Sequence, residues 1–112
     1  MWHELEVEQV SKIRKCVGEF EVWMHQILPY GKMKIKIHEE QNKTYTGKTD
    51  ICIKRKFDGQ AECAVGFGES IEEALEETII WFKKMVEEDY PTSEYPMGLE
   101  AEHIEYSEYS DF

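Results

Sequence analysis

Apolar residues recur at helical spacing along the first quarter of the chain. Leu5, Val10, Ile13, Cys16, Val17, Phe20, Trp23, Met24, Ile27 and Leu28 fall on one stripe, which predicts a helix over residues 4–28, ended by Pro29-Tyr30-Gly31. The period then changes. In KMKIKIH, residues 32–38, Met33, Ile35 and Ile37 alternate with Lys32, Lys34, Lys36 and His38, the mark of a strand with one buried face. A polar stretch, EEQNKTYTG, follows as a loop.

Residues 48–67 read as a β-hairpin around Asp58-Gly59. A two-residue turn pairs Lys56 with Ala61 and scatters the apolar positions over both faces. A three-residue loop with Gly59 left-handed pairs Lys56 with Gln60 instead. It gathers Ile51, Ile53, Ala61, Cys63, Val65 and Phe67 on one face, so this register is expected. The last regular element opens with Ser70 and Glu73, a capping box, and carries Ile71, Leu75, Thr78, Ile79, Phe82, Met85 and Val86 inward as far as about Asp89.

The expected order is αβββα: an α+β two-layer domain over residues 1–89, with an antiparallel three-stranded sheet and two helices on one face. The other sheet face would present Lys32, Lys34, Lys36, Lys54 and Lys56. Residues 90–112 follow as an acidic, aromatic C-terminal tail.

Charge sharpens this division. The formal net charge of −11 is unevenly spread. Residues 1–68 hold 11 Lys/Arg against 10 Asp/Glu, whereas residues 69–112 hold 2 against 14. Such asymmetry speaks to partners rather than to fold. The tail also interleaves rings with its acids, ending HIEYSEYSDF. Carboxylates along such a segment suit an arginine-lined groove built for phosphates, and rings suit the places where bases stack. On the last helix, Ile80 points away from the inner stripe, beside Trp81 and among acids, as the centre of an interface would. The expected partner-binding residues are therefore Glu73, Glu76, Glu77, Ile80, Trp81, Glu87 and Glu88 on the helix, with Tyr95, Glu102, Glu105, Tyr106, Glu108, Tyr109 and Asp111 in the tail.

Chemistry adds little. His3, His25, His38 and His103 and the three cysteines show no metal-ligand spacing, so neither a metal nor another cofactor is expected. No phosphate loop, nucleophile elbow or triad spacing occurs, and no enzymatic activity is expected. Cys16, Cys52 and Cys63 read as reduced thiols of a cytoplasmic protein, with Cys52 the most exposed. No apolar run approaches the roughly 20 residues that span a bilayer, and the acidic start MWHELEVEQ does not read as a signal peptide.

Three resemblances attach to these features. The αβββα order over residues 4–89 resembles the double-stranded-RNA-binding domain, although GESIEEALEET stands where that family grips phosphate with lysines. AVGFGESIEEAL, residues 64–75, is similar to the strand-to-helix junction of HicB-type antitoxins. The short, acidic, motif-free profile resembles phage inhibitors of host defence nucleases, of the anti-CRISPR and anti-restriction kind. That last resemblance implies a non-catalytic protein occupying the basic nucleic-acid surface of an enzyme. The alternative expectation is a nucleic-acid-binding or antitoxin-like regulator that uses the lysine face, with the tail folded over it.

Overall fold

The computed structural model describes residues 1–108 and Phe112. Among the described residues there are five strands and one α-helix. The strands are β1 (Arg14–Trp23), β2 (Lys32–Glu40), β3 (Tyr45–Lys54), β4 (Ala61–Gly68) and β5 (Ile104–Tyr106); the helix, α1, is Ile71–Asp89. The sheet is antiparallel in the order β1-β2-β3-β4, and β5 pairs with β3. This corrects the αβββα expectation of two helices over three strands. No helix among the described residues is long and apolar enough to cross a membrane.

The largest correction is at the N-terminus. The stretch expected as helix 4–28 contains no α-helix: a 3-10 turn, Trp2–Glu4, ends where it would begin, and β1 occupies Arg14–Trp23. Pairing with β2 decides the matter. Phe20 lies opposite Ile35 and Val22 opposite Met33 on one face, while Glu19 meets Lys36 and Glu21 meets Lys34 on the other. Apolar pairs inside and opposite charges outside both favour a strand. A helix would have left the lysines of β2 without these carboxylates.

The inner face of the sheet carries the core. Met33, Ile35 and Ile37 of β2, Ile51 and Ile53 of β3, Ala64 of β4 and Phe82 and Met85 of α1 are essentially inaccessible. The helix lies close because glycines lie beneath it. A Cβ on Gly66 would come within 2.4 Å of the Thr78 amide nitrogen, and one on Gly47 within 2.3 Å of Thr78 Oγ1. Ser70 Oγ accepts the Glu73 amide at 3.0 Å and caps the helix as its sequence suggests.

The hairpin adopts neither register considered above. Arg55 N donates to Gln60 O, Lys54 pairs with Ala61, and Cys52 pairs with Cys63, so four residues, 56–59, form the loop. Ala64 and Gly66 therefore face α1, and Cys63, Val65 and Phe67 face outward; Phe67 is 66% exposed. The expected apolar face failed for two reasons. On β4 only small residues, Ala64 and Gly66, fit under the helix, and the outer face carries apolar residues of its own. β3 also advances four residues from Lys48 to Cys52 while β4 advances two. Thr49 bridges that irregularity, its hydroxyl accepting the Ala64 amide and donating to Ile51 O.

The corrected register also overturns the expectation of three reduced thiols. Cys52 and Cys63 stand directly opposite each other, 4.0 Å apart at Cα, and form a disulfide. Cys52, expected as the most exposed thiol, is buried, and Cys16 is the exposed free one.

Beyond the helix, the chain returns to the sheet. Tyr90, Leu99 and Ile104 are buried in the core, and the Leu99 amide donates to Ile27 O in the β1–β2 connection. β5 then places Ile104 opposite Ile53 and Tyr106 opposite Ile51. It takes the edge of β3 that β2 leaves after the Ile35–Thr49 pair.

Candidate protein-interaction surface

The solvent face of α1 follows from its inner one. Ala74, Thr78, Phe82, Met85 and Val86 are buried against the sheet, so the residues between them must point outward. Glu72, Glu73, Glu76, Glu77, Ile80, Trp81, Glu87 and Glu88 are all exposed. Ile80 retains 40% of its accessible surface and Trp81 44%. Two large apolar side chains thus sit together in a field of carboxylates. A shallow apolar groove runs beside them, floored by Leu75 and Ile79 and rimmed by Glu72, Glu76 and Lys83. Lys84 Nζ lies 5.8 Å from the Trp81 ring and partly shields it.

One acid of this set has a structural task. Arg55 gathers three carboxylates: Asp89 at 2.7 Å, Glu88 at 2.9 Å and Glu62 at 2.9 Å. The guanidinium and Asp89 are largely buried, and the Lys56 amide adds a second donor to the same Asp89 oxygen. Burial opposes ionisation of Asp89, yet the Arg55 hydrogen bond and the Lys56 amide hold its carboxyl below the usual carboxylate range. The cluster ties the β3–β4 hairpin to the end of α1. Glu88 is consequently a partner of Arg55 as well as a surface acid.

The tail residues divide among other places. Tyr95 is half-buried, edge-on to Tyr90 and to His103, and Lys56 Nζ lies 4.5 Å from its ring centre. Glu102 is exposed beside His103. Glu105 projects from β5 on the outer face, opposite Cys52, and Tyr106 is half-exposed. Glu108 is exposed and accepts the Phe112 amide. Tyr109 and Asp111 lie outside the described residues. The structure therefore brings the helix residues together on one surface, while Glu105 and Phe112 lie on the opposite side of the sheet.

Among the described residues, Glu100, Glu102 and His103 alone approach one another as metal ligands would, but the two acids are exposed and His103 Nδ1 already accepts the Glu100 amide. Sequence reasoning overlooked a second surface, the outer-face concavity bordered by Lys12, Arg14, His38, Lys48 and Phe67. The alternation of Gly18, Phe20 and Val22 with Glu19 and Glu21 is the signal that points to β1 and hence to this face. No protein-family model, curated protein or solved structure matches the chain.

Proposed function

We propose that the protein is a non-catalytic interaction protein that docks the acidic face of α1 into the basic surface of a nucleic-acid-handling enzyme, in the manner of phage inhibitors of host defence nucleases. The observation that carries this reading is the exposed Ile80–Trp81 pair surrounded by Glu72, Glu73, Glu76, Glu77 and Glu87. Desolvated aromatic and aliphatic anchors supply affinity at interfaces, whereas surrounding charges supply steering and selectivity. A near-continuous row of carboxylates on a rigid helix suits an arginine- or lysine-rich partner. The Tyr95 and Tyr106 rings belong to this reading less directly, since both lie against the domain itself.

The test is capture from host lysate on the immobilised chain, with the parent compared against Ile80→Ser/Trp81→Ser. The parent should retain a nucleic-acid-binding protein that the double variant loses. A second variant, Glu76→Gln/Glu77→Gln/Glu87→Gln, should bind the same protein more weakly and with a shallower salt dependence, because exposed charges are screened. Identical capture by all three chains would sink the reading. A cytoplasmic setting belongs to the same proposal. Disulfides such as Cys52–Cys63 are uncommon there, so counting free thiols in chain taken from intact cells tests that setting separately.

A further inference from the structure

One helix does not cover this sheet. An α-helix with its side chains is about 10–12 Å across and strands lie about 4.8 Å apart, so a single helix shields roughly two of them. Here α1 packs chiefly on β4 and β3. On the inner face of β1, Phe20 and Val22 keep part of their surface in water, although Ile35 and Met33, their neighbours on β2, are essentially inaccessible. The apolar groove of α1 opens toward this end of the sheet. Lys83, which closes the groove, also borders a second hollow formed by Met24, Gln26 and Ile27 just after β1.

The charges along the groove are ordered. Glu72 and Glu76 stand at one end, Lys83 at the other, and Leu75, Ile79 and Ile80 lie between them. None of the three charged residues forms an ion pair among the described residues. Glu72 and Glu76 are one turn apart with no cation beside either, an arrangement unfavourable to a helix by itself. Cations brought by an occupant would relieve it. A second copy of the chain is the poorer occupant. Turned end for end, it would bring its Lys83 to Glu72 but leave both copies of Glu76 unmatched, between molecules that each carry a net charge of −11.

We propose that this groove receives one amphipathic helix of a partner protein, with Leu- or Ile-type side chains on Leu75, Ile79 and Ile80, Lys or Arg beside Glu72 and Glu76, and an acid beside Lys83. From Glu72 to Lys83 the groove is about 16 Å long, or three helical turns. An apolar stripe at i, i+3, i+4 and i+7 on the incoming helix matches that length. The inference rests on the reading of α1 as the docking surface and names the element that docks. It also assigns that element to one flank of α1: Glu72, Glu76 and Ile80 border the groove, whereas Glu77 and Trp81 do not.

The experiment is an amide-resolved NMR titration of the full chain with a synthetic leucine–lysine peptide of about 18 residues, long enough to be helical, whose leucines form one stripe. A peptide of the same composition with its leucines scattered around the helix is the control. The striped peptide should give saturable shifts at Leu75, Ile79, Ile80 and Lys83 and at Met24 and Ile27, and the scattered one should bind at least about tenfold more weakly. Glu76→Lys and Glu77→Lys make the same charge change at adjacent exposed positions on different flanks. The first should weaken the striped peptide several-fold, and the second should leave it within about twofold of the parent. Equal binding of the two peptides, equal effects of the two substitutions, or no saturable shift at millimolar peptide would overturn the groove as a helix site. A dimer of the chain alone in sedimentation, abolished by Ile80→Ser, would replace the partner helix with a second copy. Loss of lysate capture in Ile80→Ser/Trp81→Ser without any peptide binding would leave the proposed function standing and remove the helix. Peptide binding with unchanged lysate capture would do the reverse.

Discussion

Phe82 and Phe67 are the same side chain on opposite sides of one sheet. Phe82 is fully buried between α1 and the strands, whereas Phe67 stands on β4 with two thirds of its surface in water. The inner face excludes water through small residues: Gly47 and Gly66 let the helix down onto the backbone, and Phe82 fills what remains. The outer face keeps its apolar residues beside lysines and a concavity. Apolar character on both faces thus has two meanings here, packing on one side and an available surface on the other.

Replacing each phenylalanine by alanine is the most direct way to break this comparison. Phe82→Ala should cost about 3–5 kcal/mol by urea unfolding, the range for a buried aromatic truncated in a core. Phe67→Ala should stay within roughly 0.5 kcal/mol of the parent. Comparable losses would mean that the outer face is covered in solution and that the two sides are not different in kind.

The next largest effect tests what holds the helix end. Arg55→Met should cost about 1.5–3 kcal/mol, since a charged hydrogen-bond partner of the largely buried Asp89 is lost. Its pH dependence has a definite sign. The Asp89 carboxyl is held below its ordinary range in the folded chain, so its contribution is complete above about pH 4 and is lost as pH falls through the folded value. The gap between parent and variant should accordingly narrow in acid. Asp50 acts in the opposite sense. Burial raises its carboxyl even though the Lys34 amide donates to it, so its ionisation lowers stability as pH rises. A gap that is flat from neutral pH to the acid transition would show that Asp89 is not the group concerned.

A smaller loss is expected at the other end of the helix. Ser70→Ala should destabilise by about 1 kcal/mol, through the amide of Glu73 left without its acceptor. Thermal unfolding of the two chains measures it, and an unchanged midpoint would place the start of α1 elsewhere.

The elements that were legible in the sequence owe their signal to local pattern. β2 shows its alternation without a break, and α1 shows a cap, an apolar stripe and acids at its start. β1 was hidden because a helical stripe of ten positions outweighed the three-position alternation Gly18-Phe20-Val22. Its true partners, Lys34 and Lys36, lie outside any local window. The hairpin register was hidden by the extra residues in β3 and by Val65 and Phe67, whose apolar side chains face outward. β5 is only three residues long and exists because β2 vacates part of β3. The candidate interaction residues divide in the same way. Those on α1 share a face because helical geometry ensures it, and those beyond Tyr90 were dispersed by long-range packing that composition does not encode.

Strand β5 carries one more consequence, for the integrity of the chain rather than for its ligands. Ile51, Cys52 and Ile53 have their outer edge satisfied by a segment more than fifty residues away in sequence, held by three paired positions. After a cut between Asp89 and Leu99, β5 would be held by noncovalent contacts alone, its pairs with β3 and the buried Leu99 and Ile104, and its departure would open a slot, flanked by Ile51 and Ile53, whose backbone groups seek another extended peptide. The slot accepts whichever strand arrives first: the severed piece, the same piece from a neighbouring molecule, or an unrelated chain. Trimming by a protease would then turn a self-contained molecule into one prone to strand exchange and self-association.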